Sequence, residues 1–522
     1  MILAAFFRLW QLDTIPPGLY PDEAINGNDA LATLKSKNFK IFYPENNGRE
    51  GLFIWLISAS FSLFGVSLWS LKIVPAIIGI LTVIGLYLLT KELFQLATSG
   101  LSPELKRSKK QATGIALLSS FFLATSFWHI NFSRIGFRAI LIPFILVFSL
   151  YFLLKGFQDR SKFYFIIAGV FFGLGFYTYT VFRLAVLLVI TILSLFIIIG
   201  KRQNLKTNLF LISCFLLATF ITVLPLGLYF IENPQDLIGR TSQISIFSQP
   251  DILKSFGKSL TLHLGMFNFY GDNNWRHNLS DSPQLLWPVG ILFLIGVAIS
   301  IKKLIFSIKD KKLSLVLCHL SLLTWFSVML FPATLTIEGI PHALRSVGVL
   351  PVVYIFAGLS GYYIYDWLKE IKNKKGFVIF CSLFFILLTF IQFNKYFISW
   401  AQNIETKNAF SKNLLDIGNY LNSLSVQTKK NVIVNLNGVP VPWPEGIPMP
   451  AQTIMFIENS KYGKIQSLYL LPEDIDKVKI EEKPTVFILI NDDPELLEKI
   501  KIIFPEGKVK KEKEILTYQI NL

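Results

Sequence analysis

Acidic residues are missing from the middle of every long apolar run in this chain. Charged residues make up only 16% of its 522 residues, against 52% hydrophobic ones. So little charge and so much apolar surface exclude an ordinary soluble enzyme and describe a polytopic membrane protein. Cysteine is scarce as well: Cys214, Cys318 and Cys381 lie far apart, each inside an apolar run. That excludes a disulfide framework or a thiolate metal site and says little about redox compartment. No basic leader with a small-residue cleavage site precedes the first apolar stretch, so no cleavable signal peptide is expected and the spans themselves do the targeting. Internal repeats and low-complexity tracts are also missing. The formal charge of +16 would suit nucleic acid only if Lys and Arg formed a stripe interleaved with exposed aromatics. They sit instead in short clusters between apolar runs, and nucleic acid is not an expected partner.

What is present is length in the apolar runs. A span needs about 20 apolar residues, and ten runs meet that test: 71–90, 112–130, 139–154, 163–181, 184–200, 209–230, 285–301, 313–331, 346–365 and 376–393. The opening MILAAFFRLWQL resembles the tail of an eleventh, although about 12 helical residues reach only ~18 Å across a ~30 Å hydrocarbon core. The predicted fold class is therefore an α-helical polytopic membrane protein of about 11 spans. Cations set its orientation, because short cytoplasmic loops retain Lys and Arg. The clusters at Lys106 to Lys110, Lys155 to Lys162, Lys201 to Lys206, Lys302 to Lys312 and Lys369 to Lys375 alternate with Lys-poor loops. The clusters are placed inside, and the Lys-poor loops on the outer face. GLFIWLISASFSLFG, residues 51–65, is too short to span and is read as an interfacial helix within a first outer loop covering 13–70.

After residue 400 the composition shifts. Short β-like runs, NVIVNLNG and TVFILIND, alternate with helical stretches such as NAFSKNLLDIGNYLNSL and a Pro-rich passage, GVPVPWPEGIPMP. The expected division is a membrane domain over 1–400 and a small extracytoplasmic α/β domain over 401–522, large enough for a core of its own.

The outer loops collect the unusual polar groups. The first holds Asp22, Glu23 and Asp29, then Arg49 and Glu50; tight turns hold His129, Arg134 and Arg138, then Tyr177, Tyr179 and Arg183. The long loop 231–284 carries Asp272, Arg276 and His277, and the last holds Glu338, His342 and Arg345. Carboxylates with several cations at a membrane boundary suit sugar transfer from a polyprenyl phosphate. That reaction needs a base near the acceptor hydroxyl and positive charge beside the departing phosphate, with no strong general acid of the kind a glycosidase uses.

RLWQLDTIPPGLYPDEA, REGLFIWLISASFSLFG, LKIVPAIIGILTVIGLYLLTKELF, WHINFSR and PHALRSVGVLP together resemble GT-C glycosyltransferases, nearest to the protein O-mannosyltransferase and aminoarabinose (lipid A) transferase group. The resemblance covers roughly residues 8–365. It implies a bundle of about a dozen spans, a polyprenyl-phosphate sugar donor and a catalytic base at the first carboxylate of the acidic pair, Asp22, with Glu23 beside it. Relatives acting on lipid A often show Lys-Pro-Pro where this chain reads Arg49, Glu50, Gly51, which leaves the donor sugar and the acceptor (protein, lipid or glycan) open. The short first span also departs from the pattern.

Plainer readings stand beside these. Asp29 reads as a solvated loop acid, His319 as a hydrogen-bonded structural residue, and Tyr177 and Tyr179 as membrane-belt aromatics. Arg134, Arg138 and Arg183 are interfacial anchors or, as a set on the cation-poor side, phosphate ligands; Arg345 is a second phosphate ligand. Glu50, His129, Asp272, Arg276, His277, Glu338 and His342 are read as loop-ordering or substrate-gripping residues. No cofactor is required; Asp22, Glu50 and a His form a set that a divalent cation accepts, though no spacing demands one. Two rival classes remain: a lipid-sugar flippase, which predicts paired half-repeats and midplane charges, and a membrane-anchored binding protein acting through 401–522.

Overall fold

The computed structural model describes residues 1–98, 105–200, 205–237, 245–368, 374–441, 446–481, 483–512 and 514–521. Of the loop cations used above, Lys201, Arg202, Lys369 and Lys372 lie outside the described residues, as does the centre of the Pro-rich passage. The chain forms two compact units: Met1–Trp10 with Pro75–Trp400, and Gln11–Val74 with Ala401–Leu522.

The first unit is helical. Its helices α1 (Ile2–Leu9), α4 (Leu68–Thr98, which enters from the other unit), α5 (Leu105–Thr125), α6 (Phe127–Phe132), α7 (Leu141–Asp159), α8 (Lys162–Gly175), α9 (Ala185–Gly200) and α10 (Leu205–Glu232) are followed by Trp287–Lys309, Leu313–Thr334, Leu350–Leu368 and Lys374–Phe393. Among the described residues eight helices are long and apolar enough to cross a membrane. They are apolar on nearly every side, as a lipid solvent requires of a helix that satisfies its own backbone. The other two expected spans fall short. The run 112–130 bends at Ser126, whose hydroxyl accepts the His129 amide and caps α6 as a separate helix. The run 163–181 ends its helix at Gly175. The first of these helices, α5, has 21 residues but spends its opening turns on the cations Lys106, Arg107, Lys109 and Lys110, which leaves it too few apolar residues; the second, α8, has only 14 residues.

The second unit regroups the expected domains. A break does fall after Trp400, but residues 11–74 cluster with 401–522. Five strands, β3 (Lys429–Ile433), β6 (Leu468–Leu470), β7 (Thr485–Leu489), β8 (Lys508–Glu512) and β9 (Ile515–Ile520), lie in the order β6-β3-β7-β9-β8; β3 runs parallel to both neighbours and β9 antiparallel to both of its own. Period-two alternation decides which side chain faces where. Val432, Val434, Val486, Ile488 and Ile490 meet helices Lys412–Ser423 and Ala451–Tyr462. Ile433, Phe487 and Leu489 meet helix Pro494–Ile503. Both faces are covered, as its parallel strands demand, and the expected α/β architecture is there.

The first loop joins this unit through α2 (Pro21–Ser36). Asn28 donates to Gln452 Oε1 at 2.8 Å and accepts from Asn459 at 2.9 Å, and the Thr453 hydroxyl donates to the Leu19 carbonyl at 3.0 Å. Gly27 makes the approach close: a Cβ there would stand 2.5 Å from the Phe456 ring. With mostly small and polar side chains, α2 has little apolar surface of its own to hold it to another helix, and these specific contacts tie it to Ala451–Tyr462. Helix α3 (Leu52–Phe64) occupies the expected interfacial segment and exposes Leu63 and Phe64.

Candidate active site

In the second unit the acidic pair opens α2, and its two members are used differently. Pro21 starts the helix, and Glu23 folds back so that Oε1 accepts the Tyr20 amide at 3.4 Å, the Glu arm of a capping box. Glu23 is fully buried. Asp22 is partly exposed, in the first turn where the helix dipole favours negative charge, and its Oδ1 accepts the Asn46 side-chain amide at 2.8 Å. Asn46 is delivered by the hairpin of β1 (Phe42–Tyr43) and β2 (Arg49–Glu50), whose turn Asn46-Asn47-Gly48 takes positive φ throughout.

Behind Asp22 the loop is tied from within. Arg49, 1% exposed, donates to Asn26 Oδ1 at 2.9 Å and to Asp29 Oδ2 at 2.6 Å, and its Nε reaches the Glu45 carbonyl at 3.3 Å. The expectation that Asp29 is merely solvated is corrected: it is the counter-ion of a buried arginine. Burial pushes its carboxyl above the ordinary range, and Arg49 pulls it back. Lys72, fully buried, donates to the Pro16 and Gly18 carbonyls at 3.1 and 3.4 Å and fixes the turn leading to Tyr20. Gly18 adopts φ +94°, with Phe410 O 2.4 Å from where a Cβ would be, so the turn admits only glycine. Glu50 is buried.

In the first unit the arginines divide. Arg134 is fully buried and donates to the Phe7 carbonyl at 3.0 Å and the Trp10 carbonyl at 2.7 Å, with Phe397 against its guanidinium. Arg8 is fully buried too. It donates to Ala4 O and Ala124 O at 3.0 Å, to Leu123 O at 3.4 Å and to His129 Nδ1 at 2.6 Å. These two arginines close the carbonyl ends of α1 and α5, where a helix dipole places its negative end. Arg134 as a phosphate ligand is corrected on that ground, and His129 belongs to the same buried system. Arg138 is partly exposed above the Tyr179 ring, 5.2 Å from its centroid. Arg183 donates to the Leu237 carbonyl. Tyr177 is bonded to the Thr222 carbonyl at 2.9 Å and His319 to the Ser300 hydroxyl at 3.2 Å; both are structural.

The long loop and the last loop meet. Asp272 Oδ2 accepts from His277 Nδ1 at 2.9 Å and from the Ala343 amide at 2.7 Å. The rings of His277 and His342 lie 4.9 Å apart. Arg345 reaches Thr336 Oγ1 at 2.9 Å, Glu338 O at 2.8 Å and Glu338 Oε2 at 2.8 Å. Arg276 folds over Asn274. Burial, then the neighbouring His277, Arg345, His263 and Arg276, hold His342 well below the ordinary imidazole range, hence neutral. The sequence reading missed Arg8, Asn46, Lys72 and His263. An arginine inside the opening apolar stretch and the Asn-Asn-Gly turn were the available signals for the first two.

Residues 52–103 and 106–226 match the family described as dolichyl-phosphate-mannose-protein mannosyltransferase. No curated protein matches the sequence significantly. Among solved structures, the chain aligns over its whole length with ArnT from Cupriavidus metallidurans bound to undecaprenyl phosphate, covering 97% of that chain at TM-score 0.57 and 12% identity. The same protein in the apo state aligns at TM-score 0.52 and 11% identity over 96% of its length. The family match lies on α3 to α10, about a third of the chain, and the whole-chain alignments show that the chain shares the fold of ArnT, a fold like that of GT-C glycosyltransferases.

Proposed function

We propose that the protein is an inverting membrane glycosyltransferase that moves one sugar from a polyprenyl-phosphate donor to an acceptor hydroxyl on the extracytoplasmic face of the cytoplasmic membrane. The observation that carries the reading is the division of labour in the acidic pair. Glu23 is consumed in capping α2, whereas Asp22 keeps a partly exposed carboxylate held in place by Asn46. A positioned carboxylate that can receive a proton is what the acceptor hydroxyl needs as it attacks the anomeric carbon. Attack opposite the phosphate inverts that carbon. For the departing phosphate we assign Arg138, which is partly exposed with its guanidinium over the Tyr179 ring. Arg345, bound to Glu338, serves by ordering the last loop. The undecaprenyl phosphate in the ArnT structure supports the donor class.

The test is release of prenyl phosphate from labelled polyprenyl-phosphate sugars by purified protein in liposomes, wild type against Asp22→Asn. Turnover lost in the variant alone supports the proposal. Movement of the lipid-sugar across the bilayer without release would mean a flippase and sink it.

A further inference from the structure

We propose that a pocket at the cation-rich end of the first unit binds a phosphate group, carried there by the headgroup of an anionic phospholipid. The pocket has a volume of about 520 Å³, a size that holds a small ligand. Helix α4 brings Lys91, Glu92 and Gln95 to it, α5 brings Lys109 and Thr113, and α7 brings Tyr151 and Lys155. Within each helix the contributing residues recur at a spacing of three or four, which makes them neighbours on one helical face. They sit in the last turns of α4 and α7 and the first turns of α5. That is the end of the spans where the Lys clusters place the cytoplasm.

Charge decides what the pocket takes. Three lysines converge on it against one carboxylate, Glu92, which is buried and stands 4.0 Å from Lys155. Lys155 also meets Asp159 at 3.3 Å. Lys91 lies over the Tyr87 ring, 5.8 Å from its centroid, and neither it nor Lys109 is in an ion pair among the described residues. A net positive charge therefore remains at the pocket even with Asp159 counted, and an anion among the lysines lowers their mutual repulsion. The helix ends sharpen the case. Lys91 and Lys155 stand near the carbonyl ends of α4 and α7, where a cation is favoured, but Lys109 stands in the opening turns of α5, which hold no acid and where a cation is disfavoured. A phosphate at that helix start offsets both the dipole and the lysines. The Thr113 and Tyr151 hydroxyls and the Gln95 amide are donors suited to its oxygens. Basic pockets between spans on the cytoplasmic side suit anionic phospholipid headgroups, because the lipid is already held at that depth by its chains. The site needs only that the spans lie in a bilayer, whatever reaction the protein performs.

The experiment uses the full chain in a neutral detergent, freed of lipid and titrated separately with phosphatidylglycerol, phosphatidylcholine and inorganic phosphate. The thermal midpoint is followed, and retained lipid is counted by native mass spectrometry. Phosphatidylglycerol is expected to raise the midpoint and phosphatidylcholine to leave it unchanged, because an occupant of the folded pocket stabilises by mass action. Lys91→Gln with Lys109→Gln, which breaks no ion pair, should bind phosphatidylglycerol roughly 30-fold more weakly, about fivefold for each lysine removed. Lys302→Gln with Lys309→Gln, the same change of charge at exposed positions outside the pocket, should respond as wild type does. Asp22→Asn should also respond as wild type does, which separates this proposal from the one on catalysis. A midpoint gain from inorganic phosphate equal to that from the lipid, and lost in Lys91→Gln with Lys109→Gln, would keep the phosphate site and give it a soluble source. Folded wild type that gains from neither, a Lys91→Gln and Lys109→Gln chain that responds as wild type does, or equal weakening in the two double variants would overturn it.

Discussion

Both units bury arginines, and they neutralise them by different means. In the first, Arg8 and Arg134 end on the main-chain carbonyls that close α1 and α5; in the second, Arg49 ends on the Asp29 carboxylate, with Asn26 and a single carbonyl in support. A helix end offers partial negative charge without the cost of burying a carboxylate. That suits a unit whose long helices carry no acid at mid-span. In the first loop a full counter-ion, Asp29, meets Arg49 instead. The lesson is that an outer-loop arginine beside apolar spans can be a structural clamp, and position in sequence alone does not make it a ligand.

The comparison is sharpened by stranding each partner. Arg49→Met leaves the Asp29 carboxylate buried and unpaired. It should cost about 3 kcal/mol of stability, at the low end of the range for broken buried pairs because the Asp29 side chain is 23% exposed. Asp29→Asn in the same chain should recover part of that loss, read as coupling in a double-mutant cycle of thermal midpoints. The Arg49→Met deficit should also shrink on acidification. Burial raises the Asp29 carboxyl in the folded state, so the native form binds more protons than the unfolded one and stability falls as pH rises through that window. Arg134→Met strands two carbonyl dipoles instead of a charge and should cost less, about 2 kcal/mol, with no such relief at low pH. Arg183→Ala, at a partly exposed position, should shift stability by no more than about 0.5 kcal/mol. If Arg134→Met proved costlier than Arg49→Met, or its cost depended on acid pH, the contrast between dipole and counter-ion would fail.

Much of the architecture was legible because it rests on local patterning. Long acid-free runs marked the spans, alternation marked β3 and β7, and the Pro-Gly turn before the acidic pair marked the opening of α2. What was not legible rests on contacts distant in sequence. Nothing in PDEAINGNDALATLKS says that Asn28 meets Gln452 and Asn459, so the grouping of the first loop with residues 401–522 was not legible. The same limit hid the fate of Arg134: WHINFSR reads as a polar turn whether its arginine faces a phosphate or the end of α1. The cluster of Asp272, His277 and His342 was named residue by residue, but its convergence depends on two loops about 65 residues apart.

The central claim is that Asp22 works while Glu23 holds the helix, and it is tested most directly by Asp22→Asn against Glu23→Gln, with turnover and thermal midpoint measured on the same preparations. The account predicts that Asp22→Asn keeps the wild-type midpoint and loses about 10²- to 10⁴-fold in turnover, whereas Glu23→Gln keeps most of its turnover with a lowered midpoint. The reverse pattern, full turnover in Asp22→Asn with loss confined to a folded Glu23→Gln, would contradict it.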